Sequence, residues 1–304
     1  MLTDKKSALI ILKGGALSAA FSFIFFLAPA VGIIFHFLAL VPLFYVGIRL
    51  RLQAFLIASA LPILGFSTAA GILGSVTFII TCIVPSALIL HWHFHKKGRS
   101  FAFSRTDILH NFSKTFLAGI LAVCFYAHFT HTNILAMFGV NDDAIKQLLK
   151  VSPSLSKMIE LLPGISAFML MLMIWINYQI AYALSIKVQK IRAIDNMIKS
   201  LPNFWDIILI GSLWLYLCNK LMVHSESLNI ISKTTLCISL FPLMVEGLDI
   251  LRLMVRAHSV PVFAYFIILT FVFLLVWPMV FVVALGLVEP WYGLKQKYIS
   301  KLGA

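Results

Sequence analysis

Uncharged apolar stretches long enough to cross a bilayer recur from one end of this chain to the other. Residues 16–48 and residues 260–288 contain no Asp, Glu, Lys or Arg. An α-helix needs about 20 such residues to cross the hydrocarbon core of a membrane. A β-barrel would instead alternate apolar and polar residues in segments of about ten, a pattern this sequence lacks. Composition agrees: 61% of residues are hydrophobic and 12% charged, against about 25% charged in a soluble domain. The mean hydropathy is +1.00. The expected class is all-α, a polytopic transmembrane helix bundle.

The formal net charge of +13 would suggest nucleic acid in a soluble protein. Here the basic residues cluster at the ends of apolar segments, where cytoplasmic loops and anionic headgroups account for them. No hydrophilic domain exists to carry a nucleic-acid site, so none is expected. The four cysteines (Cys82, Cys124, Cys218, Cys237) are widely spaced and each lies in an apolar run. They read as small buried hydrophobes rather than as disulfides or zinc ligands. Lys5 and Lys6, an apolar run and then Ala28-Pro29-Ala30 resemble a signal peptide. Lys13 interrupts that run, and apolar sequence continues past Pro29 to Ile48, so a retained first span is expected.

Apolar windows read against their flanks give nine candidate spans, at about 9–28, 31–48, 53–68, 70–91, 115–137, 162–187, 204–223, 229–251 and 260–288. The count falls to eight if 229–251 does not cross. Residues 1–304 read as a single integral membrane domain. The polar connection 131–161 mixes Asp142, Asp143, Lys146, Lys150, Lys157 and Glu160 with leucines, the pattern of short amphipathic helices at a membrane surface. With the N-terminus cytoplasmic, sixteen of the 24 Lys and Arg residues fall in cytoplasmic loops. The basic tail (Lys295, Lys297, Lys301) is the awkward part, because nine spans put it on the opposite side.

Several groups could carry chemistry. Glu246, Asp249, Arg252 and Arg256 follow at spacings of three, three and four, and so share one helical face. Such charges within a span mark a ligand or proton site, or else form a self-neutralising ladder stepping towards the interface. Asn177 and Gln179 lie near the middle of the sixth span, followed by Tyr182. They either contact a ligand or join helices. Asp206, at the start of the seventh span, suits a helix N-terminus. Gly15 with Ala19, and Ala16 with Ala20, are small residues at four-residue spacing, which lets helices approach closely.

The stretch LHWHFHKKGRS (90–100) sets three histidines at alternate positions before a basic cluster. In a helix His91 and His95 share a face and His93 opposes them, so no three-histidine face forms. His91 and His95, joined by His110, are weak metal candidates; membrane exit, with Trp92 as a headgroup anchor, is the better account. No metal or other cofactor is expected. Zinc-protease, nucleotide-loop, hydrolase-elbow and dinucleotide motifs are all lacking from the sequence.

Two stretches resemble the YybS-like family of bacterial multi-pass membrane proteins. They are VPLFYVGIRLRLQAFLIASALPILG (41–65), and VEGLDILRLMVRAHSVPVF (245–263) with LGLVEPWYGLKQK (285–297). The family typically ends in Gly-Leu, an acid, an aromatic and a basic tail, here Gly286, Leu287, Glu289, Trp291, Lys295 and Lys297. It often has Gln-Gly where this chain has Glu246-Gly247. The family is distantly similar to the substrate-binding subunits of energy-coupling-factor vitamin transporters. That likeness implies a ligand held within the bundle, and small first-span residues (15–20) contacting a transmembrane coupling subunit.

The expectation is therefore a non-enzymatic, transport-related protein of the bacterial inner membrane. It would bind or move a small ligand through Asn177, Gln179, Tyr182, Glu246, Asp249 and Arg252. Its partners would be the lipid bilayer and a separate coupling subunit and ATPase, since the chain has no nucleotide site. The alternative is a structural or scaffolding membrane protein whose polar groups only pack the bundle.

Overall fold

A computed structural model describes residues 5–94, 105–130, 155–189 and 201–301, apart from scattered positions between 259 and 275. All regular structure among the described residues is helical. Four stretches are long and apolar enough to cross a membrane: Lys5–Ile24, Leu52–Phe94, Glu160–Ser185 and Phe204–Val223. Shorter apolar helices run over Ile34–Leu50 and Pro278–Tyr292. This supports a helical membrane protein. The chain gathers into two compact units, residues 1–104 with 170–195, and residues 105–169 with 196–304.

The first unit contains α1 (Lys5–Leu27), α2 (Pro29–Leu38), α3 (Leu40–Leu50), α4 (Leu52–Phe78), a π-helical turn (Ile79–Ile83) and α5 (Val84–Phe94). The second half of α7 (Leu155–Gln189) completes it. Pro29 opens α2, where its missing N–H costs nothing. The predicted span 31–48 breaks at Ala39, three residues ahead of Pro42, whose ring cannot continue the hydrogen-bond ladder back to Leu38. The predicted spans 53–68 and 70–91 run together as helix but reverse direction between them. Gly71 adopts φ 72° and ψ −177°, a region that is essentially glycine's alone. Past it, Ser75 Oγ donates to the Ile63 carbonyl at 3.3 Å, and Phe78 stacks on Phe66 with centroids 4.3 Å apart. Residues twelve apart in a straight helix are about 18 Å distant, so the two legs form a helical hairpin.

Helix α1 packs on α2, α3 and α4 through its smallest side chains. A Cβ on Gly14 would lie 2.3 Å from Val46 Cγ2, and one on Gly15 would lie 2.6 Å from the Ala58 carbonyl oxygen. Ser18 and Ser22 continue the buried stripe, with Ser22 Oγ donating to the Ser18 carbonyl. Of the four predicted association residues, Gly15 is buried, Ala19 half-buried, and Ala16 and Ala20 exposed. The close contact thus runs through Gly14, Gly15, Ser18 and Ser22. A paired substitution separates the two faces: Gly15→Leu destabilises the unit, by about 1–3 kcal/mol for overpacking, while Ala16→Leu leaves the melting temperature in detergent within a degree or two of wild type.

The second unit is built on α9 (Glu226–Ala257). Around it pack α6 (Arg105–Phe129), α8 (Phe204–Cys218), α10 (Val276–Tyr292) and α11 (Leu294–Lys301). The first turns of α7 join them, with Gly164 against Thr234 and Cys237. Helix α6 begins ten residues before the predicted span 115–137, because Ile108, Leu109 and Phe112 bury one face of an otherwise polar segment. Gly247 sits against Val282, and Gly286 against Leu243. This pairing makes α9 and α10 antiparallel, their backbones almost touching. Consequently α10 ends beside the middle of α9, and the chain turns there at Gly293 (φ 56°). The predicted connection 131–161 lies outside the described residues up to residue 154; its end is the start of α7.

Candidate functional site

Asn177, Gln179 and Tyr182 belong to the first unit; Glu246, Asp249 and Arg252 belong to the second. In the first unit Asn177 is fully buried and spends both amide hydrogens on carbonyls. Nδ2 donates to Phe37 O at 2.6 Å and to Met173 O at 2.7 Å. Phe37 lies at the joint between α2 and α3, so Asn177 ties the second half of α7 to that break. Its Oδ1 is buried and accepts nothing among the described residues. Gln179, two residues on, points to another side of α7, with a buried Nε2 that has no partner. Tyr182 stacks on Tyr178 at 6.0 Å, and Tyr178 Oη is hydrogen-bonded to His93 Nδ1 at 2.9 Å. Helix joining thus accounts for Asn177. Asn177→Leu removes that tie and lowers stability by about 1 kcal/mol, measurable as a small fall in the unfolding midpoint.

The second unit holds a denser set of charges. Glu246 and Lys295 are each only 1% exposed, and Lys295 Nζ lies 2.6 Å from Glu246 Oε1. The same carboxylate oxygen accepts the Leu201 backbone N–H at 3.2 Å. Glu289, also buried, accepts the Lys295 backbone N–H with both oxygens, at 3.3 and 3.1 Å. That contact caps α11 with a carboxylate on the preceding helix, favourable at a helix N-terminus. One turn along α9, Asp249 Oδ1 pairs with Arg105 Nη1 at 2.9 Å. Arg252 and Arg256 follow along the same helix.

The two acids of the shared face find cations on other helices. Glu246 and Asp249 pair with Lys295 of α11 and Arg105 of α6, two helices after α9 and three before it in sequence. The spacing of three places Glu246 and Asp249 on one face; it is the packing of α6 and α11 on that face that brings the cations. Sequence reasoning singles out Lys295 only as part of a basic tail, and gives Arg105 no role of its own. Asp206, expected as a helix N-terminal acid, lies in the first turn of α8, 4% exposed, and neither carboxylate oxygen has a hydrogen-bond partner among the described residues. An acid left so is costly unless it takes up a proton or a ligand.

Among the described residues no three His, Cys, Asp or Glu side chains are grouped to hold a metal. His91 is exposed at the end of α5, His110 Nδ1 accepts the Trp205 indole N–H at 3.0 Å, and His95 lies outside the described residues. The helical course of 84–94 does set His91 and His93 on different faces. Comparison of the chain with known protein families, curated proteins and solved structures finds no match.

Proposed function

We propose that the chain is a non-enzymatic, transport-related protein of the bacterial inner membrane, spanning it several times with the N-terminus cytoplasmic. The observation that carries this reading is the buried Glu246–Lys295 pair, held within a unit of membrane-type helices. Ionisable groups are expensive in such surroundings and mark ligand or proton paths. Here a proton or a cationic ligand group reaching Glu246 competes directly with Lys295. Release of Lys295 loosens α11 from α9, coupling occupancy to the position of the tail. Asp206, buried and without a hydrogen-bond partner among the described residues, is a second acid in the same unit. The likeness to the YybS-like family, and a separate coupling subunit with an ATPase, belong to the same reading.

A scaffolding role is the second reading, favoured by Asn177, whose amide hydrogens are all spent on backbone carbonyls. Purification of the full chain in mild detergent, followed by mass spectrometry of bound small molecules and subunits, separates the two. The transport reading expects a small molecule or coupling subunit at near-stoichiometric level with the wild type, and its loss with Glu246→Gln combined with Lys295→Gln. Wild-type protein that carries neither supports the scaffold.

A further inference from the structure

A cleft of about 610 Å³ opens in the second unit where α8 ends and α9 begins, and nothing in the Glu246 reading uses it. Its polar lining is Glu160, Tyr216, Asn219, Lys220, His224 and Lys233, with Ser225 and Asn229 beside them. The volume falls within the range of small-molecule sites, about 300–1,000 Å³.

Local structure prepares this cleft. Helix α8 continues into a π-helical turn, Asn219–Val223, closed by the His224 N–H on the Asn219 carbonyl at 2.8 Å. Such turns are rare and occur frequently at functional sites. The Asn219 side chain then staples the reversal, accepting from Ser225 N and donating to Ser225 O, both at 2.9 Å. On the opposite wall Glu160 Oε2 accepts from Asn229 Nδ2 at 2.7 Å and from Lys233 Nζ. Glu160 is thereby neutralised by Lys233, which also lies 5.7 Å from the Tyr216 ring. Lys220 and His224 stand exposed at the rim. Among the described residues the lining thus carries two lysines against one carboxylate and several donors, on a backbone already fixed.

Position decides the class of ligand. The apolar stretch Phe204–Val223 ends at the cleft, and the apolar stretch Glu160–Ser185 begins there. On α8 and the π-helical turn the residues leading to the rim are apolar and open to the surroundings, Trp214, Leu217, Leu221 and Met222 among them, Met222 at 79%. Two independent helices thus place the cleft at the level where hydrocarbon gives way to headgroups, beside a surface suited to acyl chains.

We infer that this cleft binds a phosphate ester anion, held by Lys220 and Lys233 with Tyr216 and His224 beside it, delivered as the headgroup of an anionic phospholipid or as a soluble organophosphate. The inference is independent of the reading of Glu246, since it rests on other residues.

The test uses the full chain and two probes. Reconstitution into nanodiscs of phosphatidylcholine with a minor fraction of phosphatidylglycerol, followed by gentle release and native mass spectrometry, reads retained lipid. Calorimetric titration of detergent-purified protein with sn-glycerol 3-phosphate reads the soluble source. Retained phosphatidylglycerol, reduced about fivefold by Lys220→Gln and untouched by Lys13→Gln on α1, establishes the lipid headgroup. Saturable binding of sn-glycerol 3-phosphate that is weakened by Lys220→Gln establishes the soluble source. Lys220 is exposed, so that variant folds; Lys233→Gln combined with Glu160→Gln leaves the net charge of the cleft unchanged and is expected to weaken binding as well. Binding of neither probe, or equal binding by wild type and Lys220→Gln, overturns the inference.

Discussion

Replacing Lys295 with Met lowers the unfolding free energy of the second unit by about 3–5 kcal/mol. The cost comes less from the lost attraction than from Glu246, a carboxyl 1% exposed that loses its cation and keeps the Leu201 N–H among the described residues. Glu246→Leu alone breaks the same ion pair from its other side. The double variant Glu246→Leu with Lys295→Met removes both charges at once. It is expected to recover most of the loss, since a buried pair often gains little over apolar groups of similar volume. Denaturant midpoints in detergent for the two single variants and the double variant give the coupling directly. Additive losses would mean that the two side chains do not depend on one another.

The second large effect is steric. Gly286→Val drives a side chain into α9, because a Cβ there would lie 2.0 Å from the Leu243 carbonyl oxygen. Gly247 faces the reciprocal contact, 1.8 Å from the Val282 carbonyl oxygen. In both cases the obstacle is backbone, which cannot swing aside as a side-chain tip can. Helices held by close approach lose dispersion contact along their whole interface when forced apart. The cost is expected to reach at least 3 kcal/mol, about the upper end for overpacked cores. Gel filtration of Gly286→Val is expected to show aggregate, with Gly119→Val as control, since a Cβ on Gly119 meets nothing within 4 Å.

Much of this architecture was legible in the sequence because bilayer-length apolar runs are a one-dimensional signal. The break near residue 69 was visible as two windows, and Gly71 supplies the reversal that separates them. The early start of α6 was hidden because its first ten residues are amphipathic, and an apolar window is blind to one buried face. At the site, the shared face of Glu246 and Asp249 followed from helical spacing alone. Their partners did not, because Arg105 and Lys295 lie more than forty residues away in sequence and meet them only through packing on α9. Gly14 was passed over for a related reason. Small residues marked α1 as an associating helix, but which of its faces is buried depends on where α3 and α4 lie. The cleft at Lys220 had no sequence signal beyond a lysine near the end of an apolar run. Its shape comes from the π-helical turn and the Asn219 staple.

Under the proposed reading α9, carrying Glu246 and Asp249, crosses the membrane with its Arg252 end cytoplasmic. Single cysteines at the two ends test this most directly, in a background where the four native cysteines are replaced by serine. His224 and His258 flank the helix and are both exposed. A membrane-impermeant maleimide applied to intact spheroplasts is predicted to label His224→Cys, and to label His258→Cys only after the membrane is opened. Equal labelling of both before opening would contradict the account, because α9 would then not cross.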